Sequence, residues 1–349
     1  MKTLLLTGGT GYIGSHCAVA ALEVGYDIVI LDNLSNSDSD VIQKIEQIAG
    51  SSSLSNGRIE KSSGIKFYQG DIRNSADLEK VFSENKIDTV LHFAGLKAVG
   101  ESCDKPFMYY ENNVEGTLRL TESMEKHGVK NIVFSSSATV YDPSALSPLR
   151  EDSPTGNTSN PYGTSKFIIE NILRDLATHQ GLKVANLRYF NPIGAHSSGL
   201  IGENPRDIPN NLLPYIMKVA SGELSQLKVF GDDYETVDGT GVRDYIHVED
   251  LAAGHIAALE WLENNKTQGI FETFNLGTGT GSSVMEMIEI TEEVTGTALP
   301  YTVSNRRPGD IATAYCNPEK ALKILAWKTT KTIQESITDS WNYIEKQKS

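Results

Sequence analysis

A doubly wound α/β fold with a smaller α/β lobe toward the C-terminus is what this sequence predicts, and two observations carry the prediction. Short, near-continuous apolar runs alternate with helix-patterned stretches through the first 190 residues, and a glycine-rich turn joins the first run to the first helix. The runs are Thr3–Thr7, Asp27–Leu31, Lys66–Gln69, Thr89–Phe93, Asn131–Ser135 and Val184–Phe190. Apolar on both faces, they suit parallel strands covered by helices on either side. Helical spacing marks His16–Val24, Asn113–Lys126 and Thr164–Thr178. The serine-rich stretch Gly50–Gly64 reads as a polar surface loop. After Phe190 the alternation weakens. Gly194–Pro209 collects Gly, Pro and Ser, and helices at Leu212–Ala220, Leu251–Glu263, Val284–Val294 and Ile333–Glu345 mix with a few short strands. The expected organisation is a first domain over residues 1–190, with room for later segments to return to it, and a second over 191–349. The second would sit over the carboxyl edge of the sheet, where open α/β folds bind ligands.

Composition narrows the function classes. A chain of 349 residues with 39% hydrophobic residues can bury a core without staples. Its net charge of −14 offers nucleic acid no electrostatic footprint. No apolar run approaches the roughly 18 residues of a spanning helix, so no membrane partner is expected. Leu4–Leu6 is too short for a signal-peptide core. Cys17, Cys103 and Cys316 form neither a CxxC pair nor a disulfide framework, which fits a reducing, cytoplasmic setting. The seven histidines contain no HExxH pair and no Gly-x-Ser-x-Gly elbow occurs, so no metal site is expected. His247 reads as a packed, hydrogen-bonded histidine.

Gly8-Gly9-Thr10-Gly11-Tyr12-Ile13-Gly14 follows the first strand and opens a helix. Glycine at 8, 11 and 14 permits the tight turn and lets backbone approach a pyrophosphate, which the helix N-terminus attracts. That is the Rossmann-type dinucleotide fingerprint. Asp32 ends the second strand 18 residues beyond Gly14, near the spacing of a carboxylate that holds ribose hydroxyls. The same carboxylate repels a 2′-phosphate, and no Arg or Lys lies between Asn33 and Val41, so NAD is expected over NADP.

Pro161-Tyr162-Gly163-Thr164-Ser165-Lys166 opens a helix whose buried face is Phe167, Ile168, Ile169, Ile172, Leu173 and Leu176. A spacing of four sets Tyr162 and Lys166 on one face. A phenol with a pKa of about 10 is a poor base near neutrality, and a neighbouring ammonium stabilises its phenolate. The sequence assigns that charge to Lys166. Upstream, Ser135-Ser136-Ser137-Ala138-Thr139-Val140-Tyr141 carries hydroxyls to the carboxyl end of the sheet, where one can bridge a substrate hydroxyl and Tyr162.

Together these features resemble the extended short-chain dehydrogenase/reductase superfamily, and within it the UDP-hexose 4-epimerases. Further segments carry the likeness along nearly the whole chain: Leu31–Leu34, Gly70–Asn74, His92–Ser102, Arg188–Pro192, Ile208–Leu212, Asp238–His247 and Arg306–Asp310. The resemblance implies reversible C4 epimerisation of UDP-galactose and UDP-glucose through a transient 4-keto sugar, with bound NAD, in a homodimer formed through Asn113–Lys126 and Thr164–Thr178. It implies catalytic roles for Ser137, Tyr162 and Lys166. It implies an NAD site of Gly8, Gly11, Tyr12, Ile13, Gly14, Asp32, Asn33, Asp71, Ile72, Phe93, Ala94, Lys97, Asn112 or Asn113, and Tyr189, together with Tyr162 and Lys166. The UDP-sugar site would comprise Asn191, Asn211, Leu212, Phe230, Arg243, Arg307, Asp310 and Ala314, with Ser137 and Tyr162. Arginine suits the pyrophosphate because its planar fork binds phosphate in bidentate fashion. Asp142, Thr164 and the longer 50–64 segment depart from the family pattern. Ala314 stands where some relatives carry a large aromatic, which implies room for the N-acetyl group of UDP-GlcNAc and UDP-GalNAc. The rival enzyme, an NDP-sugar 4,6-dehydratase, places acidic groups beside the catalytic hydroxyl, and Ser137-Ala138-Thr139 has none. A non-catalytic NAD-binding regulator would have no need of Ser137, Tyr162 and Lys166.

Overall fold

Alternation along single strands decides the layering. In a computed structural model of the protein, which describes residues 2–55, 64–205, 209, 211–307 and 309–348, Leu4 and Leu6 of the first strand bury on one face of the sheet and Leu5 on the other. The first part of the chain runs β1 (Thr3–Thr7), α1 (Tyr12–Glu23), β2 (Asp27–Asp32), α2 (Asp40–Ser55), β3 (Ile65–Gln69), α3 (Ser75–Glu84) and β4 (Thr89–His92). It continues through the short helices α4 (Val99–Asp104) and α5 (Pro106–Tyr109), a π-helical segment at Tyr110–Glu115, α6 (Gly116–Lys126), β5 (Asn131–Ser137), α7 (Pro161–Gln180) and β6 (Lys183–Tyr189).

The second part runs β7 (Asn191–Ile193), α8 (Leu212–Ala220), β8 (Leu227–Phe230), β9 (Val242–Arg243), β10 (Tyr245–His247), α9 (Val248–Asn264), β11 (Phe271–Leu276) and β12 (Ser282–Ser283). It closes with α10 (Val284–Thr295), β13 (Tyr301–Ser304), β14 (Thr313–Ala314), α11 (Glu319–Leu325) and α12 (Ile333–Lys348).

The main sheet has the order β11-β6-β5-β4-β1-β2-β3, parallel throughout. Strand order reverses between β1 and β4, which opens a crevice at their carboxyl ends. On one face α1, α2 and α9 pack through Val19, Leu22, Ile45, Leu251 and Leu259. On the other, α3, α6 and α7 pack through Leu78, Phe82, Leu120, Met124, Ile169 and Leu173. After the excursion through β7 to β10, α9 and β11 rejoin this sheet at its β6 edge. A separate core holds α8, α10 and α12 together through Leu213, Ile216, Met287, Ile288 and Ile337.

The structure differs from the sequence reading at 50–64. Helix α2 continues through Gly50 to Ser55, so the first part of the expected loop is helical, while residues 56–63 lie outside the described residues. Ile45 and Ile48 give that helix an apolar face, and the serine run follows on its last turns. No described helix is long and apolar enough to cross a membrane.

Candidate active site

The glycine turn is built by close approach. Gly8 has φ of +71°, and a Cβ there would meet Ala94 N at 2.7 Å. A side chain on Gly14 would press on the Gly8 carbonyl. Gly11 begins α1 with no side-chain cap, and no acidic residue sits in the first turn, so the leading N–H groups face the crevice free of a carboxylate. Asp32, buried at the end of β2, accepts from Thr10 N at 3.2 Å and Leu34 N at 2.9 Å. Asn33 donates to Asp71 at 3.0 Å, and Arg73 grips Asp71 in bidentate fashion, holding that carboxyl well below the usual range. Ile72 is buried beside them. The loop after β4 is tied down where Phe93 N and Ala94 N both donate to Thr7 O. Asn113 is fully engaged: it bonds Leu96 through both N–H and C=O and donates to Ser165. Asn112 is the half-buried member of the pair.

Helix α7 brings the catalytic candidates to the same crevice. Asn160 caps it by accepting from Gly163 N at 2.8 Å, and Pro161 fills the first turn. Gly163 is required by proximity, because a Cβ there would lie 2.7 Å from Thr139 O. That approach sets Tyr162 against Ser137, which ends β5 and accepts from Thr139 N at 3.2 Å. Burial pushes the Tyr162 phenol above its ordinary value, while the Ser137 hydrogen bond and the Lys97 ammonium pull it down. A second ammonium, that of Lys97, thus joins the one the sequence reading assigned to the phenol, that of Lys166. Lys166, only 4% exposed, donates to Ser135 O at 2.7 Å and lies 4.8 Å from the Phe134 ring centre. Burial lowers it to about 8. Its Nζ faces Gly95 in the loop after β4, on the dinucleotide side. Tyr189, also buried, hydrogen-bonds His255 Nε2, whose Nδ1 pairs with Leu251 O at 2.8 Å.

Across the crevice, Arg243 on β9 lies in register with Ala314 on β14. Asp310 accepts from Arg307 Nε at 2.9 Å and stands 3.9 Å from Arg243 Nη2. The Arg307 guanidinium lies 4.9 Å over the Phe230 ring. Five of the expected nucleotide-sugar residues, Phe230, Arg243, Arg307, Asp310 and Ala314, thus share one small patch. Asn191 leads β7, whose N–H donates to Asp244 O at 2.9 Å. Asn211 begins α8, followed by Leu212, while Ile208, Asn210 and Pro308 of the quoted segments lie outside the described residues.

Residues 4–277 match the NAD dependent epimerase/dehydratase family. The chain belongs to that family. It is 52% identical over 341 residues to a UDP-glucose 4-epimerase of Bacillus subtilis (strain 168), covering 97% of this chain and 96% of the relative. A crystal structure of UDP-glucose 4-epimerase from Bifidobacterium longum, in complex with NAD+ and UDP, is similar with a TM-score of 0.92 and 49% identity, covering 99% of each chain. One from Stenotrophomonas maltophila, with NAD and formylated UDP-arabinopyranose, gives 0.93 and 44%, covering 100% of this chain and 99% of that one.

Several residues that shape this epimerase/dehydratase site were given no site role by the sequence reading. Glu170 and Arg188 form a bidentate pair, at 3.0 and 2.7 Å, with side chains 1% and 3% exposed. Ser136 donates to the same carboxylate at 2.6 Å, so β5, β6 and α7 are locked behind Tyr162. Asp244, fully buried, accepts from Thr278 N, Gly279 N and Cys316 N and anchors the strand that presents Arg243. Tyr234 sits under the Arg306 guanidinium at 4.0 Å. His247, Glu249 and Asp339 converge closely enough for an ion, but Lys331 already bridges the two carboxylates at 3.2 Å each. His247 Nδ1 accepts from Glu249 N, which leaves Nε2 to donate to Asp339.

Proposed function

We propose that the protein interconverts UDP-galactose and UDP-glucose by inverting the hexose at C4 with bound NAD. The observation that carries this reading is the close approach of Gly163 to Thr139, which sets Tyr162 against Ser137 beside the dinucleotide crevice. NAD fits the crevice: the α1 N-terminus suits a pyrophosphate, and Asp32 suits unphosphorylated ribose. Held there, NAD would supply the reversible hydride exchange at C4 that inversion through a 4-keto sugar requires.

The chain's own residues do the rest. Tyr162 removes and restores the O4 proton, with Ser137 bridging phenol and sugar hydroxyl. Lys97 and Ser137 offset part of the burial that raises the phenol. Lys166 serves the dinucleotide side, where its Nζ faces the loop that bounds the cofactor. Arg243, Arg307 and Asn211 hold the nucleotide half while the hexose turns over, so the sugar itself is gripped lightly. In this reading residues 1–190 carry the NAD site, α9 and β11 return to it, and 191–349 carry the UDP-sugar site. The Ser137-Ala138-Thr139 stretch carries no carboxylate to expel water, which favours epimerisation over 4,6-dehydration. The small Ala314 side chain next to Arg243 extends the substrate range to UDP-N-acetylhexosamines. The exposed side chains of Phe107 and Leu118, 83% and 39% accessible near α6, support a homodimer. The acidic chain and its three free cysteines support a cytoplasmic setting.

The test is incubation of purified protein with UDP-galactose deuterated at C4, adding no cofactor. UDP-glucose that keeps its deuterium is expected, and Tyr162→Phe should lower turnover by about 10²-fold or more while NAD stays bound. Deuterium lost to solvent, or release of a 4-keto-6-deoxy sugar, overturns the assignment.

A further inference from the structure

Three side chains from three segments meet on one oxygen. Glu203 Oε1 accepts from Lys97 Nζ at 3.0 Å and from Asn211 Nδ2 at 3.0 Å. Glu203 belongs to the glycine- and proline-rich excursion after β7, yet its side chain is only 11% exposed. That excursion is braced against the dinucleotide turn, because the Tyr12 hydroxyl donates to Gly194 O at 2.7 Å. Lys97, from the loop after β4, lies 5.9 Å from the Tyr12 ring centre. Its side chain is half exposed, its ammonium seated on the Glu203 carboxylate and contributing to the field at the Tyr162 phenol. An ammonium on a four-carbon stem loses considerable rotamer entropy when fixed, and a buried carboxylate is an effective means of fixing it.

We propose that Glu203 is a positioning residue for the C4 inversion: its carboxylate fixes the Lys97 ammonium within electrostatic reach of Tyr162 and links it to Asn211 on the nucleotide-sugar side. This rests on the epimerase reading and goes beyond it, since neither sequence motif contains Glu203. One anion then serves both halves of the crevice. Glu203 also moderates the field at Tyr162, since its negative charge partly cancels that of Lys97. The other titratable groups around the phenol are Lys166 on its own helix, Tyr109 with its partner Glu101, and Tyr189.

The decisive substitution is Glu203→Gln, whose amide oxygen still accepts from Lys97 while the negative charge is gone. Tyr162 then faces an uncompensated ammonium and ionises more readily. Two readouts follow this: phenolate absorbance, taken as the difference between each protein and its Tyr162→Phe counterpart, and the acidic limb of kcat for UDP-galactose. Both should move about half a pH unit or more toward acid in Glu203→Gln and toward alkali in Lys97→Met, with unchanged melting temperature. In Glu203→Ala, with the anchor removed, kcat should fall about tenfold. A phenolate titration that does not move, or moves toward alkali, in Glu203→Gln overturns the proposal. If the unaltered protein fails to convert UDP-galactose, the epimerase reading falls, while the absorbance titration still judges Glu203 by itself.

Discussion

Replacing Lys166 by methionine should make the protein more stable and less active. Burial holds this ammonium down from its ordinary 10.5 to about 8. At neutral pH that corresponds to a cost of about 3 kcal/mol to the native state. The sign follows from proton counting. Between these two values the unfolded chain keeps a proton that the native protein has released, so stability rises with pH across the interval. The cost is complete below about pH 8 and gone above about 10.5. Methionine removes it but forfeits the hydrogen bond to Ser135 O, worth about 1 kcal/mol. The net expectation is a gain of about 2 kcal/mol near pH 7 that shrinks and then reverses as the pH approaches 10. Urea unfolding of both proteins at about pH 7 and pH 9.5 measures this. The pH dependence of the difference is the readout, because bound nucleotide adds its own offset to either native state. A methionine variant less stable than the parent by the same amount at both pH values would refute the reasoning.

Glu170→Ala leaves the Arg188 guanidinium buried without its partner and should cost about 3–5 kcal/mol, read as a lower urea midpoint; a loss under about 1 kcal/mol would contradict it. Gly163→Ala sets a methyl group against the Thr139 carbonyl and displaces Tyr162 from Ser137, so kcat should fall about tenfold or more with little change in urea m-value. Ala314→Tyr should lower kcat/KM for UDP-N-acetylgalactosamine relative to UDP-galactose by about tenfold, measured by direct competition.

Six of the seven strands were legible because most are apolar on both faces, and the predicted runs fall within a residue or two of them, while β11, which rejoins the sheet late in the chain, was not. Helices α2 and α3 were not, since only a few apolar residues such as Ile45 and Leu78 mark their faces amid polar sequence. At the site, the glycine turn, Asp32 and the Tyr162–Lys166 spacing stand out because each constrains neighbours in sequence. Lys97 lies 106 residues before Glu203, and only the folded arrangement joins it to the Glu203–Asn211 pair. For the same reason the contribution of Lys97 to the field at Tyr162 could not be read from the sequence.

The return of α9 and β11 to the sheet, followed by α10 and α12 in the core of α8, means the second lobe is woven from two stretches of chain rather than hung as a tail on a single tether. A polypeptide cut after residue 190 would leave β6 as an open edge, with unpaired N–H and C=O groups ready to recruit a foreign strand, and would strip the cover from α1. Neither stretch of the lobe can be exchanged without the other, because α8 packs on α10 and α12, and rocking between the halves has to flex the links after β6, before α9 and after β11 together.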